Sequence, residues 1–181
     1  MNLCYPPANL ETTPGDWKEQ EFLFGLSKKK LRIEVSSAPS KERITVLLPV
    51  LNETGRIDAC LTSLCRQPDE VQEILVVDGG SNDGTQGIVE RHHATDDRVR
   101  LIDASPVDPN WTGKAWGLHR GLRSSSASSG WILCVDADVT VQPQLARSLL
   151  RHAQRSGVKI FSVATGQRLS GKLEALLHPA C

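Results

Sequence analysis

Hydrophobic and polar positions change period several times along the chain, and the changes alternate regularly. From Ile44 the run ITVLLPV is continuously apolar and rich in β-branched residues, the pattern of a strand buried on both faces. It gives way to ETGRIDACLTSLCRQP, where Ile57, Cys60, Leu61 and Leu64 recur at helical spacing and Pro68 follows as a stop. EILVVD predicts a second buried strand, and SNDGTQGIVERHH opens with capping residues and continues as a helix ending in His92 and His93 at the surface. VRLID predicts a third strand, and GKAWGLHRGL a helix with Ala115, Leu118, His119 and Leu122 on one face. SSSASSG is a loop, and WILCVD a fourth strand. PQLARSLLRHAQRSG is a helix with Pro143 at its start and Gly157 at its stop, and KIFSVAT a fifth strand.

Strands alternating with helices predict an α/β fold: a Rossmann-like, mainly parallel sheet with helices on both faces. Before Arg43 the pattern is weaker. YPP, TTPG and SSAPS are loop signals, KKK is a solvated charge run, and Trp17, Phe22, Leu23 and Phe24 offer a packing segment or a short helix. Residues 1–42 are therefore expected as an extension, poorly ordered or packed on a domain spanning 43–169. A new apolar pattern begins in LEALLHPAC, so residues 170–181 are expected to open a segment that is cut short.

In open parallel sheets ligands bind outside the carboxyl ends of the strands. Each polar cluster here follows a strand: LNE the first, DGGSNDGT the second, DAD the fourth. Asp136 and Asp138, at i and i+2 on an extended backbone, point to the same side. Close, unpaired carboxylates repel and resist desolvation. A hard divalent cation resolves this, Mg²⁺ or Mn²⁺, with coordination positions left for phosphate oxygens. The alternative is a capping aspartate beside a solvated one. Asp78 ends a buried strand and can accept a hydrogen bond from a ring N–H, while Gly79 and Gly80 permit a tight turn or a close approach to a ligand. Asn82 or Asp83 can also cap the helix that follows. Pro49, Asn52 and Glu53 offer contacts to a base or ribose, or simply a helix start. Lys114 stands near a helix N-terminus, where a cation is poorly placed for the dipole; a phosphate would account for it, and the alternative is a surface lysine. Trp111 and Trp116 serve packing or binding equally well, and His119 reads as a core or edge histidine.

Composition narrows the classes. Formal net charge is zero over 181 residues, so no nucleic-acid-binding surface is indicated. The five cysteines Cys4, Cys60, Cys65, Cys134 and Cys181 are odd in number and lack zinc spacing, so they are read as reduced thiols of a cytoplasmic protein. Glu11 and Asp16 interrupt any signal-peptide core, and no stretch reaches the ~18 apolar residues of a membrane span.

VLLPVLNE, EILVVDGGSNDGT, GKAWGLHRG and VDADV, in this order, resemble the inverting family-2 glycosyltransferases of the GT-A fold, over about residues 43–166. The resemblance implies a nucleotide-sugar donor, usually UDP-linked, and transfer to an acceptor hydroxyl. It implies that Pro49, Val50, Leu51, Asn52, Glu53 and Asp78 hold the nucleoside, with Asp78 on the uracil, and that Gly80 and Asp83 belong to the same donor site. Asp136 and Asp138 match the family's D-x-D, which carries the metal on the diphosphate, and Lys114 matches a lysine near the donor phosphates. The wording NWTGKAWGLHRG resembles members acting on lipids such as carotenoids or hopanoids, implying an acceptor at the cytoplasmic face of a membrane, reached through a missing C-terminal part. The family's general base is a downstream carboxylate. After Asp138 only Glu174 remains, in no family-like motif, so the base is expected to be absent and the chain to be the donor-binding half.

Three other readings compete. One is a truncated or degenerate nucleotide-sugar-binding module without transfer. Another is a haloacid-dehalogenase-type phosphatase, since DADVT fits D-x-D-x-T, but it lacks the further acidic pair that fold requires downstream. The third is a sugar nucleotidyltransferase, for which LNETGR is a poor version of the glycine-rich basic loop.

Overall fold

The computed structural model describes residues 2–4, 33–126 and 129–163. The first buried run forms β2 (Ile44–Val50), preceded in the chain by a short β1 (Asn2–Cys4). Helix α1 (Ile57–Cys65), β3 (Val71–Asp78), α2 (Thr85–His93), β4 (Val99–Asp103), α3 (Gly113–Ser124), β5 (Trp131–Cys134), α4 (Leu145–Ser156) and β6 (Ile160–Ser162) follow. Among the described residues, six strands make one sheet in the order β4-β3-β2-β5-β1-β6. Pairings β4–β3, β3–β2 and β2–β5 are parallel, as the alternating pattern predicts. The central strands carry side chains buried on both faces because helices cover both: Val46, Leu48, Ile74 and Val76 pack with α1, α2 and α4, while Leu47, Leu75 and Val77 pack under α3.

The far edge of the sheet departs from the parallel pattern. Asn2–Cys4 insert between β5 and β6 and run antiparallel to both. Part of the expected extension thus contributes a strand. Trp17, Phe22, Leu23, Phe24 and the lysine run lie outside the described residues, as do residues 164–165 of the fifth predicted strand and all of 170–181. Residues 33–43 form a strap along α4. The Ser36 amide donates to Ser148 Oγ at 3.0 Å, and the Arg147 guanidinium grips the buried Glu70 through bonds of 2.8 and 2.9 Å. Burial pushes the Glu70 carboxyl up, but the hydrogen bonds from Arg147 and the Ser40 amide more than offset this, and it lies below its ordinary range.

Helix α1 buries Ile57, Cys60, Leu61 and Leu64, the face its spacing predicts, and also Ser63. At the end of α2, His92 and His93 are tied down. His92 Nε2 lies 3.0 Å from Asp58 on α1, and His93 Nδ1 lies 2.7 Å from the Val99 carbonyl. Helix α3 packs Leu118 and Leu122 of the expected face half-buried against the core, but its most deeply buried positions are others. Its buried residues are Gly117 and Gly121, and His119 is exposed. A Cβ on Gly117 would stand 3.0 Å from Pro49 Cβ, and one on Gly121 only 2.8 Å from Val77 Cγ2. The two glycines, one helical turn apart, let α3 sit directly on β2 and β3.

Candidate active site

The loops after β2, β3 and β5 meet the start of α3 at the carboxyl edge of the sheet. They enclose a cavity of about 360 Å³, lined by Pro49, Val50, Leu51, Glu53, Arg56, Val77, Gly79, Val107, Gly113, Lys114, Gly117, Asp136, Ala137 and Asp138. The volume falls in the range of small-molecule sites, roughly 300–1,000 Å³.

Strand β5 ends at Cys134, two residues earlier than WILCVD suggests. The Val135 amide still reaches Leu47 O at 3.0 Å, and then the backbone turns, with the Val139 amide on Asp136 O at 3.1 Å. Asp136 and Asp138 therefore project from a turn rather than an extended segment, and both still line the cavity. Helix α1 holds this turn and the loop after it from below. Cys60 Sγ lies 3.7 Å from Asp136 O, Ser63 Oγ accepts from the Val141 amide at 3.0 Å, and Gln67 accepts from the Ala146 amide at 3.1 Å while donating to Gln142 O at 2.9 Å. These three residues share one face of the helix and its end. Burial first, then the charges of Asp138 and Asp136, push the Cys60 thiol up to about 12.

Lys114 finds its counter-charge inside the chain: Nζ lies 2.6 Å from Asp136 Oδ1. Its place near the N-terminus of α3 is thus offset by a carboxylate. Asp138 is exposed, and its carboxylate receives no hydrogen bond among the described residues. No group of three or more His, Cys, Asp or Glu side chains is placed to hold a metal among the described residues. Asp136 and Asp138 are the carboxylates at this edge that could share an ion with substrate phosphates and water.

The loops after β2 and β3 are clasped to each other. Asn52, in the left-handed region at φ 55°, accepts the Asn82 amide at 2.9 Å, and its own amide donates to Ser81 Oγ at 2.8 Å. The Glu53 amide donates to the buried Thr85 Oγ1 at 2.9 Å, and the Thr54 amide to Asp83 Oδ2 at 3.0 Å. Hydrogen bonds from Thr54 and Thr85 hold the Asp83 carboxyl well below the usual carboxylate range.

Residues 45–178 match the family described as "Glycosyl transferase family 2". The chain belongs to this glycosyltransferase family. Over 117 residues, 64% of this chain and 29% of the relative, it is 31% identical to the 4,4'-diaponeurosporenoate glycosyltransferase of Staphylococcus aureus strain USA300. The chain thus spans less than a third of the curated relatives it matches. Among solved structures, the glucosyl-3-phosphoglycerate synthase of Mycobacterium tuberculosis, in complex with Mn²⁺, UDP and phosphoglyceric acid, superposes with a TM-score of 0.50 at 27% identity, over 63% of this chain and 39% of that one. S. aureus TarS in complex with UDP gives a TM-score of 0.51 at 23% identity, over 62% and 32%, and shares the fold. The GT-A architecture inferred from the motifs is the architecture observed.

Of the residues singled out in this glycosyltransferase family chain, Pro49, Val50, Leu51, Glu53, Lys114, Asp136 and Asp138 are gathered around the cavity. Asn52, Asp78, Gly80 and Asp83 are not in its wall. Asn52 and Asp83 form the clasp. Gly80 makes the turn at φ 101°, where a Cβ would meet Ser105 Cβ at 3.3 Å. Asp78 is 1% exposed, beneath the loop, accepting from the Ser81 amide and hydroxyl and, at 2.5 Å, from the exposed Gln86 amide. Arg56 and Gly117 line the cavity but were not singled out from the sequence. The signals were a cation one turn after Glu53, and a glycine inside a helix, where only close approach justifies its conformational cost. Trp111, Trp116 and His119 form an aromatic cluster beside α3, with His119 4.8 Å from Trp111 and 5.7 Å from Trp116 between ring centroids. Trp116 Nε1 donates to Ala104 O at 2.7 Å, which anchors the cluster to the end of β4.

Proposed function

We propose that the cavity binds a nucleoside diphosphate-sugar, with UDP as the nucleotide, and that the whole protein transfers the sugar to an acceptor hydroxyl with inversion. The observation that carries this reading is the convergence of Asp136, Asp138 and Lys114 on one cavity walled by Pro49, Val50, Leu51 and Glu53. Two carboxylates suit a Mg²⁺ or Mn²⁺ ion that keeps positions for diphosphate oxygens. When bound there, such an ion supplies Lewis-acid stabilisation of the charge developing on the leaving diphosphate. Lys114 adds a mobile positive charge on the same side, and Arg56 a second at the wall. The Pro49–Leu51 segment offers an apolar face to the base. Asp78 reads the uracil ring N–H, which takes the place of the exposed Gln86 amide on its carboxylate. Asn52, Gly80 and Asp83 shape the donor site by holding the two loops together.

Residues 43–169 form the donor-binding unit in this reading, and residues 170–181 open the acceptor side. A lipid acceptor is supported by the name of the S. aureus relative, a 4,4'-diaponeurosporenoate glycosyltransferase, and we propose that it is met at the cytoplasmic face of a membrane. Among the described residues no helix is long and apolar enough to cross a membrane.

Isothermal calorimetry with Mn²⁺ present tests the donor assignment. UDP is expected to bind more tightly than ADP or GDP. Equal affinity for all three would refute the role of Asp78.

A further inference from the structure

Lys114 and Asp136 meet inside the cavity at 2.6 Å, with side chains that are 63% and 50% exposed. A pair so open to water is worth little and exchanges readily. Asp136 is also one of the two carboxylates assigned to a divalent ion. An ammonium and a divalent cation on the same carboxylate repel each other, so the observed position of Lys114 disfavours the ion. Among the described residues no third acidic or imidazole ligand stands by to compensate. With Lys114 in place, the ion is left chiefly with Asp138.

We propose that Lys114 is a built-in counter-ion that keeps the carboxylate pair closed to a free divalent cation until a diphosphate enters, and then moves its ammonium from Asp136 to a phosphate oxygen. The inference rests on the donor-site reading above. The side chain suits the exchange: a compact charge with three donors on a flexible four-carbon stem. Lys114 is the second residue of α3, where the free backbone N–H groups also favour an arriving anion. The diphosphate competes for the ammonium, and its departure frees Asp136 to join Asp138 on the metal. Metal and nucleotide then bind with positive coupling that runs through one side chain, and each raises the affinity of the other by the same factor.

Mn²⁺ binding, followed by the electron paramagnetic resonance signal of the free ion, tests this without any measurement of transfer. The full chain, Lys114→Met and Lys114→Arg are compared with and without UDP. Lys114 is exposed, so the variants are expected to fold. Without UDP, Lys114→Met should bind Mn²⁺ about three- to tenfold more tightly than the parent, the effect of removing one solvent-screened unit charge. Lys114→Arg should remain within about twofold of the parent. UDP should raise the Mn²⁺ affinity of the parent by a larger factor than that of Lys114→Met. Equal Mn²⁺ affinity of parent and Lys114→Met without UDP overturns the proposal, and if both still bind UDP with Mn²⁺ the donor-site reading stands. An Arg variant as tight as the Met variant also overturns it, because the charge would then be irrelevant. Failure of all three proteins to bind Mn²⁺, with or without UDP, overturns both.

Discussion

Replacing Gly121 with alanine tests how α3 is seated on the sheet beside the cavity. In an open helix a Gly→Ala change stabilises by about 0.5–1 kcal/mol, through backbone entropy. At Gly121 the added methyl would stand 2.8 Å from Val77 Cγ2 and 3.1 Å from Leu47 Cδ2. Ordinary carbon contacts lie at roughly 3.5–4.0 Å, so the helix or the strands must give by about half an ångström or more. Val77 and Leu47 are 1% and 2% exposed, and the χ1 of Val77 is stiff, so neither can swing away. Overpacking of this kind costs about 1–3 kcal/mol. Against the propensity gain, the net expectation is a loss of roughly 0–2 kcal/mol. Gly87, in the first turn of α2, is the control, since a Cβ there meets nothing within 4 Å. Gly87→Ala should stabilise by up to about 1 kcal/mol. Urea denaturation of parent and both variants reads the difference, with Gly121→Ala below Gly87→Ala by about 1–3 kcal/mol at unchanged m-value. A Gly121→Ala protein as stable as Gly87→Ala would refute the close seating of α3.

Two further predictions follow from titrating groups. Hydrogen bonds from the Arg98 guanidinium, at 2.7 and 2.9 Å, hold the Asp96 carboxyl below its ordinary range despite partial burial. A carboxyl depressed by folding stabilises above its unfolded value and loses that contribution as pH falls through its folded value. Asp96→Asn should therefore melt below the parent at pH 7, with the gap closing below about pH 3–4; a gap independent of pH contradicts this. Burial, then Asp96, push the Cys65 thiol up to about 11. Peptide-resolved alkylation of the native protein at pH 8 should label Cys65 at least about tenfold more slowly than a free thiol, and Asp96→Asn should speed it; free-thiol rates in the parent would refute the assignment.

The strands buried on both faces were legible because a continuous apolar run, followed by a helical period and then another such run, suits few folds besides a covered parallel sheet. β2, β3 and β4 lie where ITVLLPV, EILVVD and VRLID place them. Asn2–Cys4 were not legible, since a strand of three residues has no period and its neighbours β5 and β6 decide its place. The face of α3 was legible in part. Leu118 and Leu122 pack half-buried on the core as the stripe predicts, whereas His119 is exposed. The deepest residues are Gly117 and Gly121, which carry no hydrophobic signal at all. The candidate site was legible at the level of the sheet edge, which brought Pro49, Glu53, Lys114, Asp136 and Asp138 together from distant parts of the chain. It was less legible within the loops. Asn52 and Asp83 have the chemistry of ligand contacts, but the clasp between the loops uses the same hydrogen-bonding groups. Which polar side chain faces a ligand and which faces a neighbouring loop depends on backbone turns a few residues long, and the residue pattern does not encode those separately.

The most direct test of the proposed donor site is Asp138→Asn. Asp138 is exposed and its carboxylate accepts no hydrogen bond among the described residues, so the fold does not need its charge. The change keeps size and removes one negative charge from the pair. Melting curves of parent and variant, alone, with UDP, and with UDP and Mn²⁺, separate the two roles an aspartate here could have. The variant alone should melt with the parent or slightly above it, because like-charge repulsion with Asp136 is relieved. Without metal it should bind UDP no worse than the parent. With Mn²⁺, UDP affinity should fall by about one to two orders of magnitude, the loss of a charge-assisted contact of ~1.5–3 kcal/mol. A variant that melts early on its own, yet keeps the full Mn²⁺-dependent shift with UDP, would make Asp138 a structural residue and contradict the metal–diphosphate site.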